Sequence, residues 1–292
     1  PIKIDTLAAE GDNIFRTLKK LQSLSRLPLI IIFFNNMDEH YENVMLNKDI
    51  PTIEKNIKLY KNTNLQSLFL IFPELARVFY TPTYPMALGN QVQKNTKEFS
   101  DNLIQKRELI HYELYKFALE RLFHYTKQNN SFIIPITTPI NLSKAPSKSC
   151  YGSLNKDSRN DLISLKNLIK NKDFKGAFDI SNELALLNPY NAEILFLHSH
   201  ILKKLGRIKE FQKNAEIAKA MDCTLVKPNP IYNEILKNEA KNFEINTFDF
   251  HQLLVDESQT NFVFKDNIYP QDFYMELLTK LLAEQLKKTL RI

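Results

Sequence analysis

Glycine is scarce in this chain, with five in 292 residues, against a usual share of roughly 7%. A propeller or a Gly-rich β-sandwich is excluded on that ground, and so is a phosphate-cradling loop of several glycines. Cysteine is scarcer still: Cys150 and Cys223 are the two present. No Cys-x-x-Cys occurs, which excludes a zinc ribbon or a thioredoxin-type site. Their spacing permits a disulfide without demanding one. The expectation is two free thiols, which leaves the redox compartment undecided. No apolar run approaches the roughly 20 residues that span a bilayer, and the longest, Leu27 to Phe34, has the length of a strand. No HExxH, Walker or dinucleotide fingerprint is found, and no signal peptide. The chain begins at Pro1, inside what reads as a strand over Ile2 to Ala8, so a processed product or a partial chain is expected.

What is present is ordinary globular material. Apolar residues make up 43% and charged residues 25%, which excludes disorder throughout and a collagen-like chain. The length suits one large or two moderate domains. Lys and Arg total 39 against 33 acidic residues, a mild net charge of +6. The lysines are scattered and often sit beside asparagine, as in Lys170-Asn171-Lys172. They read as solvated surface rather than the concentrated patch that nucleic acid requires. The abundance of Lys, Asn and Ile fits an AT-rich bacterial genome.

Hydrophobic periodicity organises the first part of the chain. Asp12 stands where an N-cap belongs, before a helix with Ile14, Leu18 and Leu21 on one face. The run Leu29 to Phe34 reads as a strand buried on both faces, as in a parallel sheet. Ile53 to Tyr60 reads as helix, and Leu65 to Tyr80 as apolar helix or strand. Asp101 to Tyr125 is a long helix, followed by an apolar strand from Phe132 to Thr138. Strands alternating with helices predict a three-layer α/β/α arrangement around a parallel sheet. In such folds function gathers in loops at the carboxyl ends of strands, here the loops beginning at Asn35 and Pro139.

Residues 158–225 change character and read as consecutive helices. Offset by 34 residues, Lys172 to Ala177 faces Gly206 to Phe211, with Phe174 over Ile208 and Ala177 over Phe211. This helix–turn–helix period resembles the tetratricopeptide repeat. Two such repeats cannot bury a solenoid core alone, so they are expected to pack on the main domain. The chain therefore divides into 1–157, an inserted helical pair at 158–225, and 226–292. In the last part Ile231 to Phe243 reads as helix, Ile245 to Phe250 as strand, and Pro270 to Leu290 as helix, with Pro at its first position.

Three loop segments carry the candidate chemistry: Phe34-Asn35-Asn36-Met37-Asp38-Glu39, Thr137-Thr138-Pro139-Ile140-Asn141-Leu142, and Asp266-Asn267-Ile268-Tyr269-Pro270. In their order and spacing they resemble the SGNH/GDSL hydrolases, in the branch with a tetratricopeptide-like insertion. The resemblance covers about residues 2–290. It implies a three-layer α/β/α, flavodoxin-like domain and acyl-transfer chemistry: a Ser nucleophile, a His base, an Asp that orients it, and fixed oxyanion donors. Carried over by position, Asn36 matches the oxyanion Asn and Asp266 the triad Asp. Phe34 stands in place of a Gly, Met37 in place of an acid, and Tyr269 in place of the His. Ala8 or Gly11 lies near the second-block Gly. The Gly-Asp-Ser block would lie upstream of Pro1. Tyrosine, with a pKa near ~10, is a poor base at neutral pH.

Each remnant also has a purely structural role available. Asn36 can cap a helix after the strand, Asp266 can brace its turn, and Asn141 with Leu142 can fix a loop. His251 reads as a surface or satisfied histidine. His198 and His200, two apart on a helix, point to different faces and form no metal pair. His111 and His124 lack partners at ligand spacing, so neither a metal nor a cofactor is expected.

The expectation is a catalytically degenerate protein that serves as an interaction or scaffold module through its repeats. One alternative is an active esterase or acyltransferase on a cell-envelope glycan or lipid, with a Ser upstream of Pro1. Another is a glycan- or lipid-binding module in which Asn36, Asn141 and Asp266 contact the ligand. The resemblance further implies an envelope-facing protein anchored by an upstream segment.

Overall fold

The computed structural model describes residues 4–9, 12–34, 50–65, 68, 101–149, 154–223, 228–258, 261–266 and 268–290. The elements are α1 (Ile14–Gln22), β1 (Ile30–Phe34), α2 (Ile50–Lys61), α3 (Asp101–Gln128), β2 (Phe132–Ile136), α4 (Lys156–Lys170), α5 (Phe174–Leu187), α6 (Ala192–Lys204), α7 (Ile208–Ala220), α8 (Pro230–Asn242), α9 (Phe250–Glu257) and α10 (Asp272–Leu290).

Local chemistry fixes the helix ends. The cap of α1 is Asn13, whose Oδ1 accepts the Arg16 N–H at 3.0 Å. Asp12, the expected cap, instead accepts the Ala9 N–H and pairs with Lys20 at 2.5 Å. Asn155, Asn191 and Asn229 cap α4, α6 and α8 with their side chains, and Asp173 and Asp249 cap α5 and α9. Each such cap satisfies an N–H that the helix leaves orphaned and contributes about 1 kcal/mol.

The expected three-layer, flavodoxin-like sheet does not form. The described chain is mostly helical, and its sheet has two strands, β1 and β2, paired in parallel from Ile30↔Phe132 to Phe34↔Ile136. The other expected strands do different work. Residues 4–9 are exposed and form no ladder. The 245–250 segment touches β2 through the single bridge Ile136↔Phe248, then turns helical at Phe250. Phe264 pairs antiparallel with Pro270, closing a small turn, and α10 begins at Asp272 rather than Pro270. Nor is β1 buried on both faces, because Ile32 is 49% and Phe34 38% exposed.

Helices pack on each side of this small sheet. Ile31, Phe33 and Ile133 join Ile14, Leu18, Tyr115, Leu119, Phe123, Tyr232 and Leu236 in one core, so α1, α3 and α8 share a face. Ile134 and Ile136 join Phe250, Leu254, Phe264, Tyr274 and Leu278 in another.

Helices α4 to α7 form an antiparallel array with its own core of Leu162, Leu165, Ala177, Leu184, Ile194 and Ile201. The buried positions of α5 (Ala177, Ser181, Leu184) and α7 (Phe211, Ala215, Ala218) keep the same register. The turns before them match as well. Lys172 and Gly206 both have positive φ, at 61° and 75°. In both turns the following N–H, Asp173 or Arg207, reaches back to Leu168 or Leu202. Glycine adopts that conformation freely, whereas lysine does so at a cost.

The segment before the array is clasped to the array's end. Asp222 accepts the N–H groups of Ser147 and Lys148 at 2.9 and 3.1 Å, and the Cys223 N–H donates to the Lys148 carbonyl. Cys223 is disulfide-bonded, which corrects the expectation of two free thiols. Cys150, the other cysteine of the sequence, lies outside the described residues.

Candidate functional site at the end of β2

The segment that leaves β2 is pinned residue by residue. The Thr137 N–H donates to the Phe248 carbonyl at 3.1 Å. Its hydroxyl donates to Asp249 Oδ1 at 2.8 Å and accepts the His251 N–H at 2.9 Å. Thr138 is held by both ends of one buried amide: Asn233 Oδ1 accepts its N–H at 2.9 Å, and Asn233 Nδ2 donates to its carbonyl at 2.8 Å. After Pro139, which has no N–H, the Ile140 N–H donates to His251 Nδ1 at 3.2 Å. Almost no backbone donor of this buried stretch is left without a partner, as burial demands.

Asp249 organises the cluster. Burial pushes its carboxyl up. The Gln252 N–H, the Thr137 hydroxyl and nearby Lys237 outweigh that and hold it below the usual carboxylate range. Lys237 lies 3.6 Å from Asp249 Oδ2 and pairs with Glu234. Burial pushes its ammonium down, but the two acids prevail and its pKa is raised.

His251 is buried, not a surface histidine. Its Nδ1 lone pair is taken by the Ile140 N–H, so the ring proton sits on Nε2, which faces Glu216 Oε1 at 3.6 Å. A base must offer a free lone pair to its substrate. His251 spends its Nδ1 lone pair on the Ile140 backbone.

Two of the sequence candidates come together. Asn141 Nδ2 donates to the Asp266 carbonyl at 3.1 Å, while its Oδ1 accepts the Ser143 N–H. Asp266 turns its carboxylate onto its own loop, where Oδ1 accepts the N–H groups of Tyr269 at 2.6 Å and Ile268 at 2.7 Å. Those two donors, Tyr269 first, hold the Asp266 carboxyl below the usual range. Tyr269 is 52% exposed, and its carbonyl accepts the Lys265 N–H. Asp266 thus braces a turn. Asn36, Met37 and Gly11 lie outside the described residues, and Ala8 is in an exposed segment. Phe34, at the end of β1, meets Phe250 edge-on at 6.3 Å between ring centroids.

Beside Asn141, a hollow lined by Pro139, Ile140, Lys219, Asp222 and Asn229 has room for about one water. Among the described residues no cluster of three His, Cys, Asp or Glu side chains could hold a metal ion. No helix among them is long and apolar enough to cross a membrane. Asn233, Asp249 and His251, which build the site, carry no motif in the sequence. The one available signal was Asp249 ahead of Phe250-His251-Gln252, a helix start read as the end of a strand. No family model, curated protein or solved structure matches this chain.

Proposed function

We propose that this chain is a non-catalytic interaction module whose helical array, α4 to α7, meets a protein partner. The observation that carries the reading is the commitment of Asp266. Its Oδ1 is held by two backbone N–H groups of its own turn, and Tyr269 occupies the place where the resemblance to SGNH/GDSL hydrolases calls for a histidine. An Asp–His pair capable of activating a hydroxyl is not assembled from these residues. Support for a partner-facing array comes from its surface. Leu186 is 74% and Leu187 67% exposed at the end of α5, with Tyr190 beside them in the loop. Adjacent exposed apolar side chains of this kind mark interaction surfaces more often than isolated ones do.

Hydrolysis of p-nitrophenyl acetate and butyrate, by the wild type beside Tyr269→Phe, tests the catalytic half. The expected result is no turnover in either. Turnover that falls in the variant would make Tyr269 part of a working site and overturn the reading. Partner capture by wild type beside Leu187→Glu tests the other half, and a protein retained by the wild type and lost with the variant is expected.

A further inference from the structure

Residues 139–142 lie where the helical array meets the rest of the molecule. The side chains of Ile140 and Leu142 are buried with Leu202 of α6, Phe211 and Ala215 of α7, and Val255 of α9. The backbone of Ile140 is fastened to His251 through its N–H. The next residue reaches the other way, since Asn141 Nδ2 holds the Asp266 carbonyl at 3.1 Å. From that carbonyl starts the turn in which Asp266 Oδ1 takes the N–H groups of Ile268 and Tyr269. Neighbouring residues of one short strap are therefore anchored at the array core and at the exposed turn.

We infer that this strap couples the two places: a change in the packing of α7 against Ile140 alters the order of the Asp266–Tyr269 turn through Asn141. A packed seam does not deform smoothly, because its side chains interdigitate at crystal-like density. Loss of volume at Phe211 shifts Ile140, and the peptide unit it shares with Asn141 moves with it. The Asn141 amide then no longer meets the Asp266 carbonyl within hydrogen-bond reach. The coupling is a free-energy link between two sites and works in both directions. It stands apart from the interaction reading above, since no partner is needed to reveal it.

Amide hydrogen exchange, resolved at Ile268 and Tyr269 in the full chain, tests the inference. Asn141→Ala is expected to speed exchange there roughly two- to tenfold, the range for losing one such hydrogen bond. Phe211→Leu, with Phe211→Ala as the larger change, is expected to speed the same two amides in the Asn141 background and to add nothing in the Asn141→Ala background. The amides of Leu119 and Leu122, in the core of α3, stay at wild-type rates and exclude global opening. Phe211→Leu keeps the test available if Phe211→Ala fails to fold. The inference is overturned if Phe211→Leu loosens α7 while Ile268 and Tyr269 exchange as in wild type. Equal increments in both Asn141 backgrounds would overturn it too.

Discussion

Ser181 and His198 share a hydrogen bond of 2.9 Å inside the helical array, and the pair is structural rather than catalytic. Ser181 Oγ donates its proton to the Phe178 carbonyl at 2.9 Å, so it accepts from His198 Nδ1–H. A serine whose proton is spent on the backbone, and which is fully buried, has no route to a substrate. The imidazole lies tilted beside Phe178, with ring centroids 5.8 Å apart, and the Arg207 guanidinium lies 4.8 Å from the same ring's centroid. Burial first, and then the Arg207 charge, hold the His198 pKa below its usual value.

Acid is therefore expected to weaken the array. The unfolded chain protonates this histidine near about 6.5, whereas the folded chain resists until lower pH. Between those values the unfolded state binds more protons, so stability is complete above the unfolded pKa and lost as pH falls. Urea midpoints between pH 7.5 and 5 measure this, and His198→Gln should show a flatter profile than wild type. Parallel profiles would refute the assignment.

Glu120 acts in the opposite sense. Burial and the Glu239 carboxylate raise its pKa, with Lys116 opposing. Its folded form prefers the proton, so it favours the fold below its unfolded pKa and loses that contribution as pH rises through the folded one. Glu120→Gln is expected to be more stable than wild type at pH 7.5, with the difference shrinking toward pH 5. Thermal melts across that range check it.

Asn233→Leu removes the two hydrogen bonds between the Asn233 amide and the Thr138 backbone. With Thr138 fully buried, its N–H and carbonyl have no water to turn to. A loss of about 2–6 kcal/mol is expected, from two buried polar groups at about 1–3 kcal/mol each. Chemical denaturation measures it, and a loss under about 1 kcal/mol would mean that the segment finds other partners.

Thiol titration tests the covalent state. Denatured, unreduced protein should show no free thiol and the reduced chain two, because Cys223 is disulfide-bonded in a sequence with two cysteines. Reduction should lower stability by about 2–5 kcal/mol. Two thiols before reduction would remove the bond.

What the sequence made legible followed periodicity and local punctuation. Ile14, Leu18 and Leu21 mark α1, the apolar spacing of α3 is plain, and Phe174/Ile208 with Ala177/Phe211 sets the register of the array. The size of the sheet was not legible. A run such as Leu29 to Phe34 looks the same whether both faces are covered or one, and here Ile32 lies open. The 245–250 segment has strand-like residues, but Asp249 caps the following N–H groups and turns the chain into α9. At the site, the Asn141 and Asp266 segments were singled out as separate loops, and one hydrogen bond joins them. The residues that fasten Thr138 and Ile140, Asn233 and His251, sit on helices far from them in sequence. Nothing in a linear pattern joins positions that pair only after the chain has folded.

The single bridge between Ile136 and Phe248 bears on the order in which the chain acquires its structure. The array's contacts run between adjacent helices, whereas Ile31 and Tyr115 must wait for Tyr232 and Leu236 to complete their core. Local contacts close quickly and distant ones slowly, because each long loop costs entropy before any contact rewards it. As the chain leaves the ribosome, the array can condense as soon as it is made. The residues before it lack part of their core until α8 follows, and throughout that interval the apolar strand β1 is open to misassociation.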